Sequence, residues 1–201
     1  MNRQPKIAVI ISSTRDARFG ARAADWLMGF DRQRSDMDFE LVDLKTFDLP
    51  LFNEKASNLW APSEDPRAIA WQQKIAEFDG YVVVTAEYNH SITGALKNAF
   101  DSIGPEWQNK PAAIVSYGAD NGVRAVEQWR QILANFNMHV VRSQVSLSLF
   151  TEFSETGVSP EERRTGGDRR EEAHQDRGAE ERRVGEWRAD VAVTASKAPE
   201  P

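Results

Sequence analysis

The chain has 201 residues, a formal net charge of −6 and no cysteine. That length suits one domain plus an extension. The acidic balance excludes a general nucleic-acid binder, which needs a basic surface against phosphates, and the missing thiols exclude disulfides and thiolate metal sites.

Lys6 to Ile11 is a short apolar run and predicts a buried first strand. The polar loop Ser12-Ser13-Thr14-Arg15 follows. A helix is expected from about Arg18 to Phe30, with Ala23, Trp26, Leu27 and Phe30 on one face. Phe39 to Asp43 predicts a second strand. Residues 44–64 hold Pro50, Pro62 and scattered apolar groups and read as a long loop, a class that is usually functional or interfacial. A helix from about Pro66 to Phe78 carries Ala68, Trp71, Ile75 and Phe78 on one side, and Gly80 ends it. Tyr81 to Thr85 predicts the third strand, which runs into the polar elbow Thr85-Ala86-Glu87-Tyr88-Asn89-His90-Ser91. A helix is expected at once after it, from the spacing of Ile92, Ala95, Leu96, Ala99, Phe100 and Ile103. Ser91 is read as its N-cap. Pro111 to Tyr117 predicts a fourth strand. Asn121 or Gly122 opens a helix to about Phe136, with Val126, Trp129, Leu133 and Phe136 inward. Met138 to Val141, extended as far as Leu149, predicts a fifth.

Strands alternating with helices at this spacing predict an α/β fold with a parallel sheet. Five strands suit the flavodoxin-like doubly wound sandwich, of order 2-1-3-4-5, whose ligand crevice lies at the carboxyl ends of strands 1 and 3. The polar loops 12–20 and 85–91 then converge. Residues 1–160 are read as this domain. From Glu161 to Asp190 there are ten acidic residues, eight arginines and no lysine. Residues 161–201 are therefore read as a charged tail, disordered or a loosely attached helix, with too little apolar surface to offset chain entropy. No apolar run is long enough to span a bilayer. The amino terminus enters a strand without a secretory pattern, so a cytoplasmic location is expected.

Three loops carry chemistry. Ser12, Ser13, Thr14, Arg15 and Arg18 sit between a strand and a helix start, where hydroxyls, backbone N–H groups and guanidinium forks suit a phosphate. The same residues also suit a capping cluster with surface arginines. The loop has neither GxxxxGK[ST] nor GxGxxG, which disfavours a P-loop or a standard dinucleotide fingerprint. In the elbow, Glu87 and Asn89 offer hydrogen bonds to the edge of a planar heterocycle, and Tyr88 a ring to cover it. His90 is read as a loop histidine without a catalytic role, and His139 as structural. Ser116-Tyr117-Gly118-Ala119-Asp120-Asn121-Gly122 follows the fourth strand beside the elbow, with Asn121 as a helix cap. No catalytic triad, carboxylate pair or metal cluster stands out.

At these residues the chain resembles the NADPH-dependent FMN reductase family, which includes flavin, quinone, azo-dye and chromate reductases. The resemblance covers about residues 5 to 155. Ser12-Ser13-Thr14-Arg15 stands where the family reads Gly-Ser-x-Arg. Glu87, Tyr88, Asn89, Ser91 and Leu96-Lys97-Asn98-Ala99 match its second motif, with Ala86 in place of the usual proline. Ser116-Tyr117-Gly118 and Arg124-Ala125 match its third. The resemblance implies FMN as cofactor and NADPH or NADH as electron donor. It implies that Ser13, Arg15 and the backbone around Arg18, Phe19 and Gly20 hold the FMN phosphate, with Thr14 of the same loop also binding the cofactor. Glu87, Tyr88 and Asn89 would contact the isoalloxazine, and Ser116, Tyr117 and Gly118 would flank its other side. It implies no catalytic side chain and no metal, since the flavin carries the chemistry, a small-molecule electron acceptor, and a homodimer or homotetramer with Leu49-Pro50-Leu51-Phe52 at a contact. No nucleic-acid or membrane partner is expected. The competing reading is a flavin-binding or electron-carrier module without turnover of its own. The tail departs from the family, whose members end in an apolar-faced helix.

Overall fold

The central strands of the sheet are too apolar to face water on either side. The computed structural model describes residues 3–31, 35–154 and 157–158. Within them, β1 (Lys6–Ile11), β2 (Asp38–Asp43), β3 (Gly80–Ala86) and β4 (Pro111–Gly118) run parallel in the order β2-β1-β3-β4. Every residue of β3 and β4 is buried, as expected of central parallel strands covered on both faces. The fifth position is occupied by two short strands. β5 (His139–Val140) pairs with Pro111 and Ala112, and β6 (Val145–Ser148) pairs with residues 115–118 of the same β4 edge. The order 2-1-3-4-5 stands, but the fifth strand is broken. Arg130 explains how the break is tolerated: its guanidinium donates to the carbonyls of Val141 at 3.0 Å and Arg142 at 2.9 Å, which have left the ladder.

Helix α1 (Gly20–Asp31) packs Ala23, Ala24 and Leu27 on one face of the sheet, with Ile7, Val9, Ile11, Val82 and Val84 beneath. On the other face lie α2 (Pro66–Ala76), α3 (Gly94–Asp101) and α4 (Val123–Ala134), over Ala8, Ile10, Tyr81, Val83 and Ile114. This second layer is aromatic. Phe100 stacks on Trp107 at 4.0 Å, and Trp71, Tyr81, Trp129 and Phe136 ring the pair. Asp65 caps α2 by accepting from the Arg67 N–H, with Pro66 in the first turn. The long loop after β2 opens with a 3-10 turn (Leu44–Phe47) capped by Asp43. Phe153–Ser154 and Gly157–Val158 form a small antiparallel hairpin, β7 and β8.

Two helix starts and two helix caps differ from the expected ones. α1 begins at Gly20 rather than Arg18, because the Arg18 side chain ties the loop to the Ser13 carbonyl and to Asp43. α3 begins at Gly94, not Ile92, and its N-cap is Thr93; the Ser91 hydroxyl donates to Gln128 Oε1 at 2.7 Å instead. α4 is entered through Gly122 at φ 72°, where a Cβ would stand 2.9 Å from the Tyr117 backbone nitrogen, so Asn121 is not its cap. The Phe30 side chain and the readings of residues 161–201, including the domain limit at 160, lie outside the described residues.

Candidate functional site

The three polar loops do meet at the carboxyl end of the sheet. The elbow after β3 is a tight turn. Tyr88 and Ser91 exchange both backbone hydrogen bonds, at 2.9 and 3.0 Å, and Asn89 and His90 between them both take the left-handed conformation (φ 49° and 65°), the signature of a two-residue hairpin turn. Asn89 therefore has a backbone reason to be there, since asparagine tolerates that conformation. Gln128 of α4 braces the turn by donating to the His90 carbonyl at 2.8 Å.

Tyr88 leans from this turn onto the first loop. Its hydroxyl shares a 2.6 Å hydrogen bond with Ser13 Oγ, and the Arg15 guanidinium lies over its ring at 5.8 Å. Tyr117, from the end of β4, reaches the same place. Its hydroxyl lies at the start of α1, where a Cβ on Gly20 would come within 2.9 Å of it. Burial pushes the Tyr117 hydroxyl pKa up and the neighbouring Tyr88 adds to this, while the Gly20 N–H, the Ser13 hydroxyl and the Arg15 charge pull it back. Ser13, Arg15, Gly20, Tyr88 and Tyr117 thus form one cluster of hydroxyls, a guanidinium and a helix start. Ser13 is buried; Thr14 and Arg15 are exposed. Arg15 makes no ion pair among the described residues, in contrast to Arg18, which pairs with Asp43.

The remaining expected site residues are placed differently. Phe19 packs edge-on to Phe153 at 5.3 Å, and Phe153 also meets Tyr117 at 5.8 Å, so the β7–β8 hairpin closes this side. The Ser116 hydroxyl is buried and donates to the Asn121 carbonyl at 2.7 Å, shaping its own loop. Gly118 permits close packing, since a Cβ there would stand 3.1 Å from the Gly122 nitrogen and 3.3 Å from Glu87 Cβ. The Glu87 carboxylate is turned to Arg124 of α4, which donates from Nε at 2.6 Å. Asp43 and Arg124, which hold Arg18 and Glu87, were not among the expected site residues. An acidic residue at the end of a strand beside the crevice, and an arginine in the first turn of a helix facing it, were the available signals. His139 lies in β5 with its side chain exposed. Among the described residues no group of His, Asp and Glu could hold a metal ion.

The sequence model of the NADPH-dependent FMN reductase family matches residues 5–152. The chain belongs to that family. It is 33% identical over 147 residues to an NAD(P)H-dependent FMN reductase of Schizosaccharomyces pombe, covering 72% of this chain and 74% of that one. It is 36% identical over 137 residues to a 2-hydroxy-1,4-benzoquinone reductase of a Burkholderia species, covering 64% and 70%. Among solved structures, the flavoenzyme NAD(P)H:(acceptor) oxidoreductase FerB of Paracoccus denitrificans superposes with a TM-score of 0.68 at 20% identity, over 96% of this chain and 98% of that one; the likeness is one of fold. Family membership makes this chain an oxidoreductase that works with FMN and NAD(P)H.

The residues present fit that cofactor. A phosphate needs N–H donors and positive charge, and the loop before α1, with its exposed Thr14 and with Arg15, which makes no ion pair among the described residues, fits that need. The glycines at 118 and 122 let their own loop pack closely against Glu87, Ser116 and Tyr117 beside this cluster.

Proposed function

We propose that this chain is an FMN-dependent NAD(P)H oxidoreductase in which the loop Ser13 to Gly20 holds the flavin phosphate, with Thr14 and Arg15 at its open side. The turn at Tyr88 and Asn89 and the loop Tyr117-Gly118 border the ring. The observation that carries this reading is the Ser13–Tyr88 hydrogen bond, which joins the anion-binding loop to the elbow. FMN, when bound, supplies hydride transfer from the nicotinamide donor to an acceptor. The chain's own part is to bind, orient and leave one side of the ring accessible. Arg15 neutralises the phosphate, Ser13 helps to fix it, and Tyr88 couples that end to the ring end.

The acceptors are small molecules of the quinone and flavin class, as borne by the names of the relatives. A cytoplasmic location is part of this proposal. Separately, no helix among the described residues is long and apolar enough to cross a membrane. It assembles as a homodimer or homotetramer through the loop after β2, where Leu51 and Trp60 are 84% and 85% exposed while Leu49 packs on the core. Sedimentation of the purified protein tests the assembly.

The function is tested by adding FMN to purified protein and then NADPH without oxygen. A bound-flavin spectrum that bleaches on NADPH alone is expected. Bound flavin that does not bleach would make the chain an electron carrier, and failure to take up FMN would sink both readings.

A further inference from the structure

Glu87 stands in the middle of the elbow, yet its side chain is only 6% exposed. Arg124 donates to Oε1 from Nε at 2.6 Å and from Nη2, and the Arg124 backbone N–H donates to Oε2 at 3.1 Å. Both carboxylate oxygens are therefore committed to the first turn of α4. That turn has need of them. Its N-cap, Gly122, has no side chain to offer, and the first N–H groups of a helix have no partner within it. Glu87 is thus a cap delivered from another strand, and its charge faces the positive end of the helix. Asp120 holds the same guanidinium from its outer side, at 2.7 Å to Nη2. Beneath the pair, the Glu87 N–H donates to the Tyr117 carbonyl at 3.1 Å, and Glu87 Cβ lies against Gly118. The clamp therefore spans the two loops that border the ring.

We propose that Arg124 is a positioning residue for flavin binding, acting through Glu87 to fix the elbow against the Tyr117-Gly118 loop. The proposal rests on the functional reading above. Glu87 then serves the ring through its backbone position and not through its carboxylate. Without the clamp, the elbow keeps the Glu87 N–H bond to the Tyr117 carbonyl and the Gln128 brace to α4, and the carboxylate no longer sets the width of the crevice.

The test measures FMN affinity by fluorescence titration of the apoprotein for wild type, Arg124→Met, Glu87→Gln, the double variant Arg124→Met/Glu87→Gln, and Arg124→Lys, with apoprotein melts alongside. Each single variant should lose about tenfold or more in FMN affinity, and the double variant little more than either single one, because partners in one interaction are not additive. Arg124→Lys, which keeps the backbone donor and a charge but lacks the fork, should recover part of the loss. Glu87→Gln is nearly isosteric and retains an acceptor, so it keeps the test valid if Arg124→Met folds poorly. Lowered melting with unchanged FMN affinity in the single variants would make the pair purely structural and overturn the proposal. Additive losses in the double variant would also overturn it. A wild-type protein that takes up no FMN would overturn the functional reading, and the clamp's role with it.

Discussion

The two ends of the sheet use charge in opposite ways. At the amino end, Lys6 and Lys74 are interleaved with Glu40 and Glu77 at 2.5 to 2.9 Å, and Asp79 accepts from the Lys6 backbone and from Arg3. Each of these charges has a partner of the chain's own, so the network ties β1, β2 and α2 together. At the carboxyl end Arg15 has no such partner among the described residues, and the start of α1 is grouped with hydroxyls. On the proposed reading, what sets the ligand end apart is a charge left without an ion-pair partner among the described residues, and not charge density.

The largest effects should come from beneath the site. Trp129 is fully buried and donates from Nε1 to Thr85 Oγ1 at 3.0 Å, just before the elbow. Trp129→Ala should cost about 3–5 kcal/mol, as cavities left by large aromatic groups do, in a denaturant titration. Next is Gly122→Ala. The left-handed φ of 72° and a Cβ standing 2.9 Å from the Tyr117 nitrogen predict a loss of about 2–3 kcal/mol, accompanied by weaker FMN binding because the strained backbone is Tyr117's own. Calorimetry with and without FMN checks both parts. Arg15→Ala should reduce FMN affinity about tenfold or more with the melting point of the apoprotein little moved, since a charge-assisted bond to phosphate contributes ~1.5–3 kcal/mol and the exposed Arg15 meets the protein through the Tyr88 ring. Unchanged affinity would put the phosphate elsewhere and erase the contrast between the two ends.

The smallest effect is expected at the amino end. Glu77→Gln should cost at most about 1 kcal/mol at neutral pH, because such surface pairs are weak and screened. Its pH dependence is more telling. Lys6 and Lys74 hold the carboxyls of Glu77 and Glu40 below their ordinary values, and Glu40 foremost raises both lysines. The carboxylates' contribution is present above the usual carboxylate range and is lost as pH falls through their lowered values. The lysines' contribution is present below their usual value and is lost as pH rises through their raised ones. Urea titrations should therefore show the wild-type advantage over Glu77→Gln across neutral pH and its disappearance in acid. An advantage that persists in acid would mean the network does not act through charge.

The strand–helix alternation, the order of the sheet and the inward faces of α2, α3 and α4 were legible in the residues. Their apolar periods are local and strong, as in Ala68, Trp71 and Ile75 or Val126, Trp129 and Leu133. The loops that meet at the site were legible too, because the positions of strand ends follow from that order. What the residues alone did not disclose were the broken fifth strand, the start of α3 at Gly94 and the direction of Glu87. Each depends on a partner distant in sequence. Arg130 accepts the burden of the carbonyls freed at Val141 and Arg142, Gln128 takes the Ser91 hydroxyl from the helix it was expected to cap, and Arg124 draws the Glu87 carboxylate away from the crevice. Sequence by itself determined which segments are apolar and where they turn, because burial is decided by periodicity over a few residues. Only the tertiary structure decided which polar groups remain free to bind, because that depends on which of them have already found one another across the fold.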